Sequence, residues 1–132
     1  MTDAMQSLPV AAVMEASKAM LQKQLYAIFT TPTGGMEQIL AHLDAHLAFQ
    51  VTLERDGVLF AAGPMWTDDE SEWRGDGMVI VRAASRTEAQ EIAARDPMHV
   101  AGARAYTVRP WMINEGSMTL RISLSSQGIA ID

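Results

Sequence analysis

Two breaks frame the segment that most constrains this chain. Pro32-Thr33-Gly34-Gly35 stands before it and Asp56-Gly57 after it, and the stretch from Met36 to Arg55 between them reads as one helix. At about 100° per residue, Phe49, Leu53, Ile39, Leu43, Leu47, Leu40 and Val51 share one broad apolar arc. His46 falls inside that arc, beside Ile39, and His42 lies nearer its edge, between Phe49 and Leu53. A compact apolar run from Leu25 to Thr31 precedes the first break and suits a core strand. Val58 to Ala62, ending at Gly63-Pro64, supplies a strand after the second. A helix held between two strands in this way points to a β-α-β unit.

Two further strands and a second helix follow, without an internal sequence repeat. Gly77 to Ala84 (GMVIVRAA) reads as a third strand, reached through the acidic, turn-rich stretch Trp66 to Asp76, expected as a flexible connection. Ser85-Arg86-Thr87-Glu88 matches a capping box and opens a helix running to Arg95 with Ala89, Ile92 and Ala93 inward. Pro97 disfavours helical geometry at Asp96, which ends that helix and starts a short turn running to Gly102. Ala103 to Ile113 is the fourth strand, with Pro110 at an edge or bulge. Val10 to Leu21 adds a short amphipathic helix in front, with Pro9 in its first turn, and Met118 to Leu124 adds an alternating strand behind.

The expected fold is therefore α+β: a ferredoxin-like β-α-β-β-α-β antiparallel sheet with both helices on one face. Residues 1–23 form an N-terminal extension, 24–113 the domain, and 114–132 a C-terminal strand and tail. The second face of the sheet is left bare in this scheme, and two sheets packed face to face would cover it in a homodimer.

Composition narrows the function. A formal net charge of −6 argues against nucleic acid, which needs clustered Lys and Arg. The absence of cysteine removes disulfides, thiolate catalysis and cysteine metal sites together. No apolar run is long enough for a membrane span, and the N-terminus lacks a basic region followed by an apolar block. The expectation is a soluble cytoplasmic protein with no membrane and no nucleic-acid partner. Gly34-Gly35 lacks the further residues of a phosphate loop, no Gly-x-Ser-x-Gly elbow is present, and no cofactor is called for.

Each chemistry-bearing residue carries two readings. His46 is either a core histidine bonded to a backbone carbonyl or an acid-base group in a dry pocket. Asp96 is a good N-cap for the turn at Pro97, and one carboxylate can cap amides while also orienting an imidazole. His42 and His46 have the i, i+4 spacing of metal ligands, but no motif supplies a third, so no metal is expected. His99 is expected exposed near a pocket rim. Trp66 and Trp73 flank the acidic stretch, either as anchors of a solvated loop or as a lid that stacks on a planar ligand. Gly63-Pro64 allows a close backbone approach to a ligand, or is a plain turn. Arg109 and Arg121 are candidates for a substrate carboxylate or simply surface cations, and Trp111 packs at a dimer seam or closes the pocket floor. The ten methionines read as flexible core filler.

Taken in order, His46-Leu47-Ala48 with Gly57 eleven positions on, Leu59, Ala62-Gly63-Pro64, Gly77-Met78-Val79-Ile80, Ser85 with Glu88-Ala89, Asp96-Pro97, Ala101-Gly102 and Arg109-Pro110-Trp111 resemble the YCII-related (YciI-like) domain family. The likeness covers roughly residues 25 to 113. It implies membership of the dimeric α+β barrel superfamily, with a histidine and an aspartate in a cleft that map to His46 and Asp96. Some relatives are lyases on ring compounds, among them a dehydrochlorinase of chlorinated hydroxyquinols, and the wider superfamily includes muconolactone isomerases. The implied function is a small cofactor-free lyase or isomerase acting on a small cyclic or carbonyl compound. In it His46 and Asp96 are catalytic, and Gly63, Pro64, Trp66, Arg109 and Trp111 contact substrate. The alternative is a non-catalytic dimeric module that binds a small molecule or supports another protein. An oxygen-dependent monooxygenase of the related barrel type is a third reading. The leading helix, the tryptophan-bearing stretch and the tail after Trp111 are additions to the family pattern.

Overall fold

The breaks place the elements closely. In the structure, a computed structural model that describes residues 6–132, β1 (Lys23–Pro32) is followed by α2 (Met36–Arg55), β2 (Leu59–Pro64) and β3 (Gly77–Val81). Then come α3 (Arg86–Ala94), the one-turn α4 (Pro97–Val100) and β4 (Arg104–Ile113). A short helix α1 (Val10–Ala16) precedes these elements, and β5 (Leu120–Ser123) and β6 (Gly128–Ile131) follow them. Pro9 is the N-cap of α1, not a residue of its first turn.

The four-stranded sheet has the order β2-β3-β1-β4. β3 runs antiparallel to both neighbours, with Tyr26 opposite Val81 and Ile28 opposite Val79 on one side, and Leu59 opposite Val81 on the other. The register with β2 slips between Leu59 and Ala61, a local irregularity that bends this edge strand. This is the ferredoxin-like α+β arrangement expected from the element order. Within one chain the sheet stays open, and no barrel closes among the described residues.

Strand alternation decides what each face carries. Tyr26, Ile28, Val79, Val81 and Val108 form one core cluster with Leu53 of α2 and Ala89, Ile92 and Ala93 of α3. Removing the side chain of a residue such as Ile28 from this cluster would cost roughly 2–5 kcal/mol. A second, smaller cluster joins Ile39 of α2 to Met98 of α4 and Ala103, and fixes α4 against the start of α2. The opposite face of the sheet is less bare than the sequence suggests. Leu25, Ala27 and Ile80 are buried within the single chain, while Phe29 is exposed.

The capping box at α3 forms with a small change. Ser85 Oγ accepts from the Glu88 amide at 3.2 Å, and the Glu88 carboxylate reaches past Ser85 to the Ala84 amide at 3.3 Å.

The chain divides into two compact units, Gln24–Met112 and a smaller one built from residues 6–23 and Ile113–Asp132. In the smaller unit Gln22, at a positive φ of 52°, donates its backbone amide to Asn114 Oδ1 and its side-chain amide to the Met14 carbonyl. The tail expected as a lone strand is a hairpin, with β5 antiparallel to β6 and Ile122 opposite Ile129. Its return strand was not legible because Gly128–Ile131 is short and its turn residue Gln127 has a positive φ without being glycine.

Candidate active site

Two helix ends bring the histidine and the aspartate together. Pro97 stops the backbone after α3, so Asp96 takes the N-cap of α4 and its Oδ1 accepts from the Met98 amide at 2.9 Å. Met98, fully buried against Ile39, holds that turn on α2. His46, two turns further along α2, then donates from Nδ1 to Asp96 Oδ2 at 2.7 Å, with Oδ1 at 3.0 Å. Both residues are buried. Burial pushes the Asp96 carboxyl upward, but the His46 hydrogen bond, the charges of His46 and His99 and the Met98 amide together outweigh it, so it is held below the usual carboxylate range. With Asp96 on Nδ1, Nε2 becomes the nitrogen available for chemistry. The Gln50 amide nitrogen lies 3.4 Å from it, one turn along the same helix.

His46 stands in the wall of a cavity of about 660 Å³ between α2, the bent strand β2 and β3. The volume lies within the roughly 300–1,000 Å³ typical of small-molecule sites. One wall is apolar, with Leu43, Leu47 and Val51 from α2 and Ala61 to Pro64 of β2 opposite. This explains why the arc of α2 is wider than its buried stripe. Leu47 and Val51 are exposed because they face an open cavity, while Ile39 and Leu53 enter the core. Leu40 is exposed as well, and it is not part of the cavity wall.

The sheet floor at this end turns polar. Thr30 continues the inward file of Tyr26 and Ile28, and Arg104 that of Tyr106 and Val108, and both line the cavity. Gly77 completes the floor, where a Cβ would come within 3.2 Å of the Gly63 carbonyl oxygen. His99 is half-buried, contrary to the exposed rim position expected from sequence. Its Nδ1 donates to the Ala93 carbonyl at 2.6 Å, leaving Nε2 to accept from Thr30 Oγ1 at 2.8 Å. Its ring also lies 4.4 Å, centroid to centroid, from Tyr106. α4 faces back toward the sheet, which the sequence did not signal. Burial lowers the His99 pKa despite the Ala93 bond and the nearby Asp96 charge.

The acidic stretch between β2 and β3 has internal order of its own. Asp69 accepts from Thr67 Oγ1 and Ser71 Oγ at 2.7 Å each, and these bonds bring its carboxyl down to about 2. Trp73 donates to the Asp76 carbonyl at 2.8 Å and lies half-buried over the cavity, while Trp66 lines it from a more exposed position.

Of the residues singled out from sequence, His46, Gly63, Pro64 and Trp66 line this cavity, and Asp96 is bonded to His46 behind its wall. Arg109 and Trp111 are not part of the wall. The alternation that buries Val108 turns both to the opposite face of the sheet, where they are exposed. Arg121 lies exposed in β5. No group of three His, Asp or Glu side chains that could hold a metal ion occurs among the described residues, and His42 stands apart from His46's partners. Sequence reasoning missed Gln50, Thr30 and Arg104, and it placed His99 at an exposed rim where the structure has it half-buried. The available signals were the i+4 spacing of Gln50 from His46 and the period-two file Arg104, Tyr106, Val108.

An α+β sheet with a histidine–aspartate pair in the wall of a small-molecule-sized cavity defines a class of protein, and comparison with known proteins gives the family. The model of the YCII-related domain matches residues 24–112, and the chain belongs to that family. No curated protein matches the chain. Among solved structures it is similar to 5-chloro-2-hydroxyhydroquinone dehydrochlorinase from Burkholderia phenoliruptrix in complex with 2,5-dihydroxybenzoquinone. That likeness has a TM-score of 0.54 and 25% identity, and covers 66% of this chain and 92% of the other. Among the described residues no helix is long and apolar enough to cross a membrane.

Proposed function

We propose that this protein is a small lyase or isomerase acting on a small cyclic or carbonyl compound, with His46 as general base and acid and Asp96 as its orienting partner. The observation that carries the reading is the 2.7 Å bond from His46 Nδ1 to Asp96 in the wall of the cavity. Membership of the YCII-related family and the likeness to a dehydrochlorinase support it.

In the proposed step the substrate lies against Gly63, Pro64 and Trp66. Nε2 of His46 takes a proton from a carbon or hydroxyl of the ring. The electron pair left behind forms the new double bond, and a leaving group on the neighbouring carbon departs with its own pair. In an isomerisation no group leaves, and the same imidazolium returns the proton at another carbon. Asp96 keeps the imidazole in one orientation and balances its positive charge while it holds the proton. These proton transfers use protein groups alone.

The same reading takes the protein as a cytoplasmic homodimer. The partner would cover the exposed part of the second sheet face around Phe29 and Trp111, on which Arg109 also stands.

A panel of ring ketones, lactones and chlorinated hydroxyquinols tests the reading with the parent, His46→Ala and Asp96→Asn. The expected result is turnover of at least one compound by the parent and a loss of about 10²–10⁴-fold in His46→Ala. Equal rates in all three proteins would overturn it. The non-catalytic alternative draws on the bond from Asp96 to the Met98 amide, which gives Asp96 a structural task as well. It predicts that both substitutions lower the melting temperature while no compound shifts it.

A further inference from the structure

Arg104 is the least satisfied charge in the described structure. It is 6% exposed, its Nε has no hydrogen-bond partner, and among the described residues no carboxylate lies within salt-bridge distance. Its guanidinium stands 6.0 Å from the centroid of the Trp73 ring, at the far limit of a cation–π contact. Asp96 and Asp76 act on it only from a distance. A buried cation without a counterion is unfavourable, and such groups are otherwise paired or bonded. Strand parity places Arg104 on the cavity floor, beside the space that a ligand would fill. Gln50, whose amide nitrogen meets His46 Nε2, lines the same cavity, but its Oε1 is buried behind the wall, which leaves the Arg104 guanidinium as the cation on the floor.

We propose that Arg104 binds an anionic oxygen of the substrate through its guanidinium. The substrate class is then a small ring compound bearing a carboxylate or an ionised hydroxyl. This rests on the reading of the cavity as a substrate site. The planar fork of arginine suits a two-oxygen anion, and Trp73 and the aliphatic wall suit the ring. The arrangement sets specificity: a neutral ring of the same shape would leave Arg104 without a counter-charge.

Calorimetric titration tests it with three probes: salicylate for a carboxylate, 2,5-dihydroxybenzoquinone for an ionised ring hydroxyl, and 2-hydroxybenzyl alcohol as the neutral match. The parent binds at least one anion more tightly than the neutral compound, and the anion it prefers identifies the source of the charge. Arg104→Met weakens anion binding by about tenfold or more and leaves the neutral compound unchanged, because a buried charge partner is lost. Arg104→Lys keeps part of the affinity, having charge but no fork. In the absence of ligand, Arg104→Met melts at or above the parent, since the unpaired charge is gone. His46→Ala retains the anion affinity, which separates this inference from the catalytic one. Anion binding unchanged in both Arg104 variants, or no anion bound by the parent, overturns it even if His46 proves catalytic.

Discussion

Asp96 serves two partners at once, and its dual role yields the sharpest predictions at the residue scale. Its carboxyl is held below the ordinary 3.8, so it contributes stability above that value and loses it as pH falls through the lower folded value. Melting temperature followed from pH 6 down to pH 2 should therefore fall less steeply in Asp96→Asn than in the parent. His99 has the opposite charge type and a pKa lowered from 6.5, chiefly by burial. The unfolded chain then binds the proton first, so stability declines as pH drops below 6.5 and levels off below the folded value. His99→Gln should flatten the parent's melting curve between pH 7 and pH 5; an unchanged slope there would show that another group sets it. The sequence made His46 and Asp96 legible because one interrupts an apolar arc and the other precedes a helix-stopping proline. It hid Arg104, because a charge at the start of a strand reads as an edge residue unless the file through Tyr106 and Val108 is followed inward.

At the scale of elements, the breaking residues carried most of the information. Gly-Gly and Asp-Gly set α2 at the limits read from sequence, and Asp96-Pro97 set the end of α3 and the start of α4. The stretch between β2 and β3 was read as a flexible connection, because nothing in its composition shows that Thr67, Asp69 and Ser71 bond one another or that Trp73 returns to the Asp76 carbonyl. Gly75 at its end has a φ of +99°, and a Cβ there would lie 3.1 Å from Ile39 Cγ1. Gly75→Ala should therefore lower stability by roughly 1–3 kcal/mol through backbone strain, measured by urea unfolding. The apolar arc of α2 divides by function as well as by burial. Ile39→Ala should cost roughly 2–5 kcal/mol, and Leu47→Ala far less while altering the cavity wall.

For the whole molecule, the element order limited the topology to a ferredoxin-like sheet through the handedness and adjacency of its connections. It did not reveal the burial of Leu25, Ala27 and Ile80, since strand alternation names a face but not what covers it. The proposed dimer is checked by sedimentation: the parent should run at twice the chain mass, and Trp111→Glu should shift it toward one. A histidine in the cavity wall, held by a buried carboxylate, is the centre of the proposed function, and proton transfer is the step proposed for it. Deuterium incorporation from heavy water into the acidic carbon of a compound turned over by the parent measures that transfer without requiring the full reaction. The account predicts rapid incorporation with the parent, a slower rate with Asp96→Asn and only the uncatalysed rate with His46→Ala. Incorporation at the parent rate by His46→Ala would contradict it.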